Sequence, residues 1–238
     1  MQDLLPPPPI VSLRSILSPG LAAVRKYWRP FLLLQSAALL LVLAYYNSRH
    51  VRAICEVLSA WKDHGGLPFA AVAAALSGGL LPELAKALVM GDWRINRRRM
   101  HDVGFTLVVF AGCGMIVDVQ YRAFAFLLGR DQQLGTILRK VLVDQFVTTP
   151  IYGTPYYLVM YGLRANGYNL FTTVRQISPR WYVTAVLPLL IPAWCFWLPM
   201  VALIYSLPGA LQFCLYCFAL AAWSLLMVFV ATYETRAH

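Results

Sequence analysis

Long apolar runs recur along this chain, separated by short clusters of basic residues, glycine and proline. A helix needs about 20 mostly apolar residues to cross a hydrocarbon layer of ~30 Å. On that measure the pattern predicts six spanning helices, at 31–46, 67–90, 105–128, 141–163, 182–207 and 211–233. The first run is short unless Tyr27 and Trp28 extend it as an interfacial belt. Residues 51–64 read as a short amphipathic helix lying at the membrane surface. Pro208 and Gly209 leave so little chain between the last two runs that these must form a close antiparallel hairpin. The predicted fold is an all-α polytopic transmembrane helix bundle. Its parts are a proline-rich basic leader (1–30), an additional span with an interfacial helix (31–66) and the main bundle (67–238).

Composition supports the same class, with 60% of the 238 residues apolar and 13% charged. Soluble domains carry about twice that charged fraction. The net charge of +10 would suggest nucleic acid in a soluble protein. Here the basic residues cluster between apolar runs, where they act as topology signals and meet lipid headgroups, so nucleic acid is set aside. Alternating topology puts twelve basic loop residues on one side and six on the other. The positive-inside rule then places both termini in the bacterial cytoplasm or the mitochondrial matrix, with the chain in the cytoplasmic or inner membrane. The densest basic loop, 91–102, is expected to touch anionic headgroups, and a homo-oligomer is compatible with this reading.

The leader does not resemble a cleaved signal peptide, because thirty residues precede the first run and Tyr45-Tyr46-Asn47 ends it. Its arginines and scarcity of acids also fit mitochondrial targeting. Four of the five cysteines lie in apolar runs, and the Cys214/Cys217 pair has no histidine or acid beside it, so packing is expected for them.

Ionisable groups inside spans are costly and are the first candidates for function. They are Glu83, Lys86, Asp118, Arg122, Lys140 and Asp144. Each acid has a base three or four residues away, which predicts the local pairs Glu83–Lys86, Asp118–Arg122 and Lys140–Asp144. Paired charges still carry a desolvation cost in lipid, so their faces should turn to the bundle interior or to water. Ala71, Ala75 and Gly79 form a small-residue stripe leading to Glu83, while Gly112 and Gly114 thin the next helix before Asp118. Gln145 and Thr148 extend the Asp144 surface. Kinks are expected at Pro150, Pro155, Pro188, Pro192 and Pro199, since proline removes a backbone donor and clashes with the preceding turn.

Enzymatic motifs are lacking. None of the four histidines has ligand spacing to a second histidine or an acid, and there is no phosphate loop or nucleophile elbow. Asp118 and Asp144 would serve as paired catalytic acids only if they met, and each has a nearer basic partner. No enzyme, cofactor or metal site is therefore expected.

The stretch "VLVDQFVTTPIYGTPYYLVMYG" resembles the central helix of the Mpv-seventeen and 22-kilodalton peroxisomal membrane protein family, through Asp144, Gln145 and Pro150. "DWRINRRRMHDVG" is similar to that family's acidic-then-basic loop, through Asp92, Trp93, Arg94, Arg98 and Gly104. Tyr121 retains one member of an aromatic pair, and Pro208 and Trp223 keep the spacing of the last hairpin. The resemblance covers roughly 77–232 and is that of a distant or bacterial-type member. Gln212 stands where the family has arginine, and the family's Trp-Pro, Gln and Asn-Phe signature is not reproduced. It implies a four-helix membrane protein, here formed by the last four or five spans, with a pore or metabolite passage. Two functions follow as expectations. One is a channel-like or carrier-like passage for small polar solutes or ions, lined by Asp144, Gln145, Thr148, Asp118 and Arg122. The other is a membrane scaffold or stress-response protein that transports nothing.

Overall fold

The computed structural model describes residues 13–90 and 96–236. Residues 1–12 of the leader, and Asp92, Trp93 and Arg94 of the basic loop, lie outside the described residues, as does the Arg98 side chain. Every described element is helical. In chain order these are α1 (Leu13–Asn47), α2 (Arg49–Ala74), α3 (Leu81–Met90), α4 (Arg97–Leu127), α5 (Leu134–Val143) and α6 (Thr154–Ala165). Then come α7 (Leu170–Gln176), α8 (Pro179–Trp181), α9 (Leu187–Tyr205) and α10 (Gly209–Arg236). Three π-helical stretches, Ala75–Leu80, Asp144–Gly153 and Tyr182–Val186, join neighbouring helices without a loop. The chain divides into two compact units, the first of Met1–Trp28 with Val147–Cys195 and the second of Arg29–Phe146 with Phe196–His238.

Among the described residues, three helical stretches are long and apolar enough to cross a membrane: Arg49–Leu88, Arg99–Leu127 and Pro179–Tyr205. Phe31–Asn47 of α1 and Leu211–Leu225 of α10 are shorter apolar segments among the described residues. The run at 141–163 is helical but falls outside both groups among the described residues, because threonines, tyrosines, glycines and two prolines dilute it. α1 runs from Leu13 through Pro30 to Asn47 without a break.

The turn between α1 and α2 is fixed locally. Ser48 takes an extended conformation and its hydroxyl accepts the Val51 N–H, while the Arg52 guanidinium donates to the carbonyls of Tyr45 and Tyr46 at 3.4 and 2.9 Å. The interfacial segment and the following apolar run part at Gly66, whose φ of 53° and ψ of −136° interrupt α2. A side chain there would be strained, so glycine is the residue that lets the helix change direction. Ile54, Val57, Leu58 and Trp61 form an apolar stripe that stays exposed before this break.

Each π stretch ends two residues before a proline, with Leu80 before Pro82, Gly153 before Pro155 and Val186 before Pro188. The backbone explains this. Leu81 donates to Leu76 and Leu187 to Tyr182, both five residues back. The next residue in each case is the proline, which has no N–H to continue the series and whose ring would strike the carbonyl four residues back in an α-helix. Widening the preceding turn removes that clash. Pro192 and Pro199 lie inside α9 with no such widening.

The second unit is built on the contact of α2 and its π stretch with α4 and α10. Ala70 and Ala74 are fully buried, and a side chain at Gly114 of α4 would run into the Ala70 carbonyl oxygen and the Ala74 methyl group. A side chain at Gly78 would run into the Phe110 ring. The close-packed stripe is thus Ala70, Ala74 and Gly78, one residue earlier than the expected Ala71, Ala75 and Gly79; of the latter only Gly79 is buried, against Leu107. Gly114→Ala is expected to force α2 and α4 apart and cost about 1–3 kcal/mol. Gly104→Ala, in the same helix with nothing nearby, should gain about 0.5–1 kcal/mol. Thermal unfolding in detergent reads both, and equal effects would refute the close approach.

The expected hairpin forms between α9 and α10. Phe196 meets Trp223 at 4.8 Å between ring centres, Trp197 meets Tyr216 and Trp223, and Phe31 of α1 closes against Phe196 and Trp223. Gln212 donates to the Leu207 carbonyl at 3.0 Å, holding the tight turn.

Candidate functional site

Two buried polar centres lie within the second unit. The first is built on Asp118, which is fully buried on α4. Its Oδ1 takes the Lys62 ammonium of α2 at 2.9 Å, and its Oδ2 takes the Arg122 guanidinium at 2.7 Å, one helical turn along. The spacing of Asp118 and Arg122 predicts the second contact but not the first. Lys62 is itself buried, whereas the Arg122 side chain is 56% exposed. Water screens the Arg122 contact far more, so Lys62 is the partner that matters most to the carboxylate.

The second centre gathers around Tyr205, at the end of α9 and almost fully buried. Its hydroxyl donates to Asp144 Oδ2 at 2.6 Å, the short distance of a charge-assisted bond. Gln145 donates its side-chain amide to the other oxygen at 3.3 Å. Lys140 Nζ sits over the Tyr205 ring, 5.7 Å from its centre, and no Lys140–Asp144 ion pair is found among the described residues; the tyrosine contacts both groups. The Asp131 carboxylate of the preceding loop also attracts Lys140. On the other side Tyr205 packs against Tyr121 and Phe124 of α4, with ring centres 5.5 and 6.2 Å away. Tyr205 therefore links the Asp144 centre to the helix that carries Asp118.

The remaining candidates are placed differently. Glu83 is half-buried and Lys86 exposed, and no ion pair joins them among the described residues. Thr148 is half-buried and belongs to the first unit. Asp118 and Asp144 have different partners and are not brought together as paired acids. Among the described residues, no group of three histidines, cysteines, aspartates or glutamates is arranged to hold a metal ion. All five cysteines are free thiols, and Cys113 Sγ lies 3.2 Å from the Tyr216 hydroxyl.

The register of the π stretch alters which backbone groups its prolines release. In an α-helix Pro150 and Pro155 would release the carbonyls of Phe146 and Ile151. With bonds reaching five residues back, Pro155 has no N–H to offer the Pro150 carbonyl. Within the first unit the Tyr182 hydroxyl donates to the Pro150 carbonyl at 3.1 Å, taking up that acceptor.

Outside the apolar helices, Asp131 accepts the Gln133 backbone N–H at 3.0 Å, which holds its carboxyl below the ordinary range; Thr136 assists. This turn starts α5, the helix that carries Lys140 towards Tyr205.

Lys62 and Tyr205 are the two residues of these centres that the pattern does not reveal. Lys62 belongs to a segment that reads as interfacial, so its charge counts towards a loop. Tyr205 ends an apolar run and looks like an interfacial aromatic. No family model, curated protein or solved structure matches this chain.

Proposed function

We propose that this chain is an integral membrane protein that passes small polar solutes or ions. Its helices are compatible with a membrane protein, three of them being long and apolar enough to cross one. The observation that carries the passage reading is the Asp144–Tyr205–Lys140 centre. It buries a carboxylate, a hydroxyl and an ammonium together at the start of a π-helical stretch. Buried ionisable groups in membrane helices and π-helical turns both concentrate at functional sites. In this reading six spans form the bundle, both termini face the bacterial cytoplasm or mitochondrial matrix, and the chain is a distant relative of the Mpv-seventeen family. Asp144 and Gln145 contact the solute, Asp118 and Arg122 support the neighbouring helix, and no catalytic step is involved.

Reconstitution into liposomes and planar bilayers tests this. Solute flux or conductance is expected, and its absence at every voltage and pH would sink the proposal. Asp144→Asn should change selectivity more than it changes expression; the reverse would make Asp144 a packing residue. A second reading, a non-transporting scaffold, is favoured by Asp118, whose two oxygens each hold a cation as in a structural ion pair.

A further inference from the structure

We propose that α7 is an anchor that seats its apolar face among the acyl chains and its arginines among anionic phospholipid headgroups. Its seven residues, Leu170–Gln176, leave a set of large apolar side chains exposed beside basic ones. Of its polar side chains Thr173 alone is turned inward, while Thr172, Arg175 and Gln176 stay exposed. Thr173 is buried, Asn166 donates to the Thr173 hydroxyl and to Gln176 Oε1, each at 3.1 Å, and the Thr173 hydroxyl donates to the Asn169 carbonyl. These bonds fasten α7 to the end of α6. The large apolar side chains left outside are Leu170, Phe171, Val174 and, just beyond the helix, Ile177. Phe171 is 70% exposed, and water is a poor environment for four such side chains in a row.

Position and charge identify what covers this face. Only Ile177 and Ser178 separate α7 from Pro179, where a stretch long enough to cross a membrane begins. A helix so close to that start lies within reach of the bilayer surface by chain length alone. The surroundings are basic throughout. Arg175 stacks over the Phe171 ring at 5.1 Å, Arg180 is exposed nearby, and no aspartate or glutamate occurs from Gln145 to Tyr233. An apolar face rimmed by arginines is the arrangement that binds anionic lipid, each basic residue adding electrostatic attraction. The inference rests on the membrane reading and is independent of transport.

The test puts a benzoylphenylalanine photocrosslinker in place of Phe171 in the full chain. The protein is reconstituted in phosphatidylcholine vesicles containing a minority of phosphatidylglycerol. Vesicle flotation and resistance to carbonate extraction first establish insertion, which separates failure of the membrane reading from failure of this one. After illumination, mass spectrometry should find phosphatidylglycerol adducts enriched at least about threefold over its share of the bilayer. Arg175→Ala with Arg180→Ala, or high salt on the otherwise unaltered chain, should bring the adducts back towards bulk proportion. No lipid adduct, adducts in bulk proportion from the start, or crosslinks to a second copy of the chain would each overturn the proposal.

Discussion

Replacing Asp118 with alanine is expected to cost about 3–5 kcal/mol, the largest loss of any single side chain discussed for this protein. The size comes from what the substitution leaves behind. Lys62 is buried against Asp118 and would keep an ammonium with its partner gone, in a place water reaches poorly. Arg122 would lose little, since its exposed side chain can turn to solvent or headgroups. Removing both members of the pair is a different matter. Asp118→Leu with Lys62→Met should recover most of the loss, because an apolar pair of similar volume carries no desolvation cost. The measurement is a double-mutant cycle read by reversible unfolding in mixed micelles. Additive losses would show that Lys62 and Asp118 do not depend on one another. Arg122→Ala should fall within about 1 kcal/mol of the unsubstituted chain.

The second large effect is expected at Tyr205. Tyr205→Phe keeps the ring, and with it the packing on Tyr121 and Phe124, but deletes the hydroxyl that donates to Asp144 at 2.6 Å. A hydrogen bond to a buried charged group contributes about 1.5–3 kcal/mol, and the loss should lie in that range. Asp144→Asn is expected to cost less, because the amide oxygen still accepts from the tyrosine. The double variant should then lose less than the sum of the two, since both act on one bond. Stability and flux measured on the same samples distinguish the roles. If Tyr205→Phe changes solute selectivity while the chain stays folded, the hydroxyl helps to shape the passage. If Tyr205→Phe left stability unchanged, the 2.6 Å bond could not be holding Asp144 in place.

The helical class and the last hairpin were legible in the apolar runs, because burial in lipid or in a core needs the same side chains. The buried carboxylates were legible too, since an acid inside an apolar run has few places to go. Their partners on other helices were not. Spacing along one helix reveals Arg122 but is blind to Lys62, which approaches from α2, and blind to Tyr205, which contacts both Lys140 and Asp144. The small-residue stripe fails for another reason. "AAVAAALSGG" contains two parallel stripes, Ala70-Ala74-Gly78 and Ala71-Ala75-Gly79, identical in composition. Only Gly114 and Phe110 on the opposing helix choose between them, and that choice is absent from the local pattern.

The widened turn at Ala75–Leu80 acts as one extra residue inserted into a helix, and an inserted residue is a phase shift. Each residue advances an α-helix by about 100°, so the faces of α3 are set relative to α2 by that single addition. As the chain stands, Ala87 is turned inward at 3% exposure and its neighbour Leu88 outward at 70%. Deleting one residue between 75 and 80 would rotate α3 by about the angle that separates these two side chains. Leucine would then face the packed interior in place of alanine, and Pro82 would meet the carbonyl it now avoids. The proline and the extra residue therefore belong together: the extra residue spares Pro82 its clash and at the same time sets which side of the following helix is turned inward.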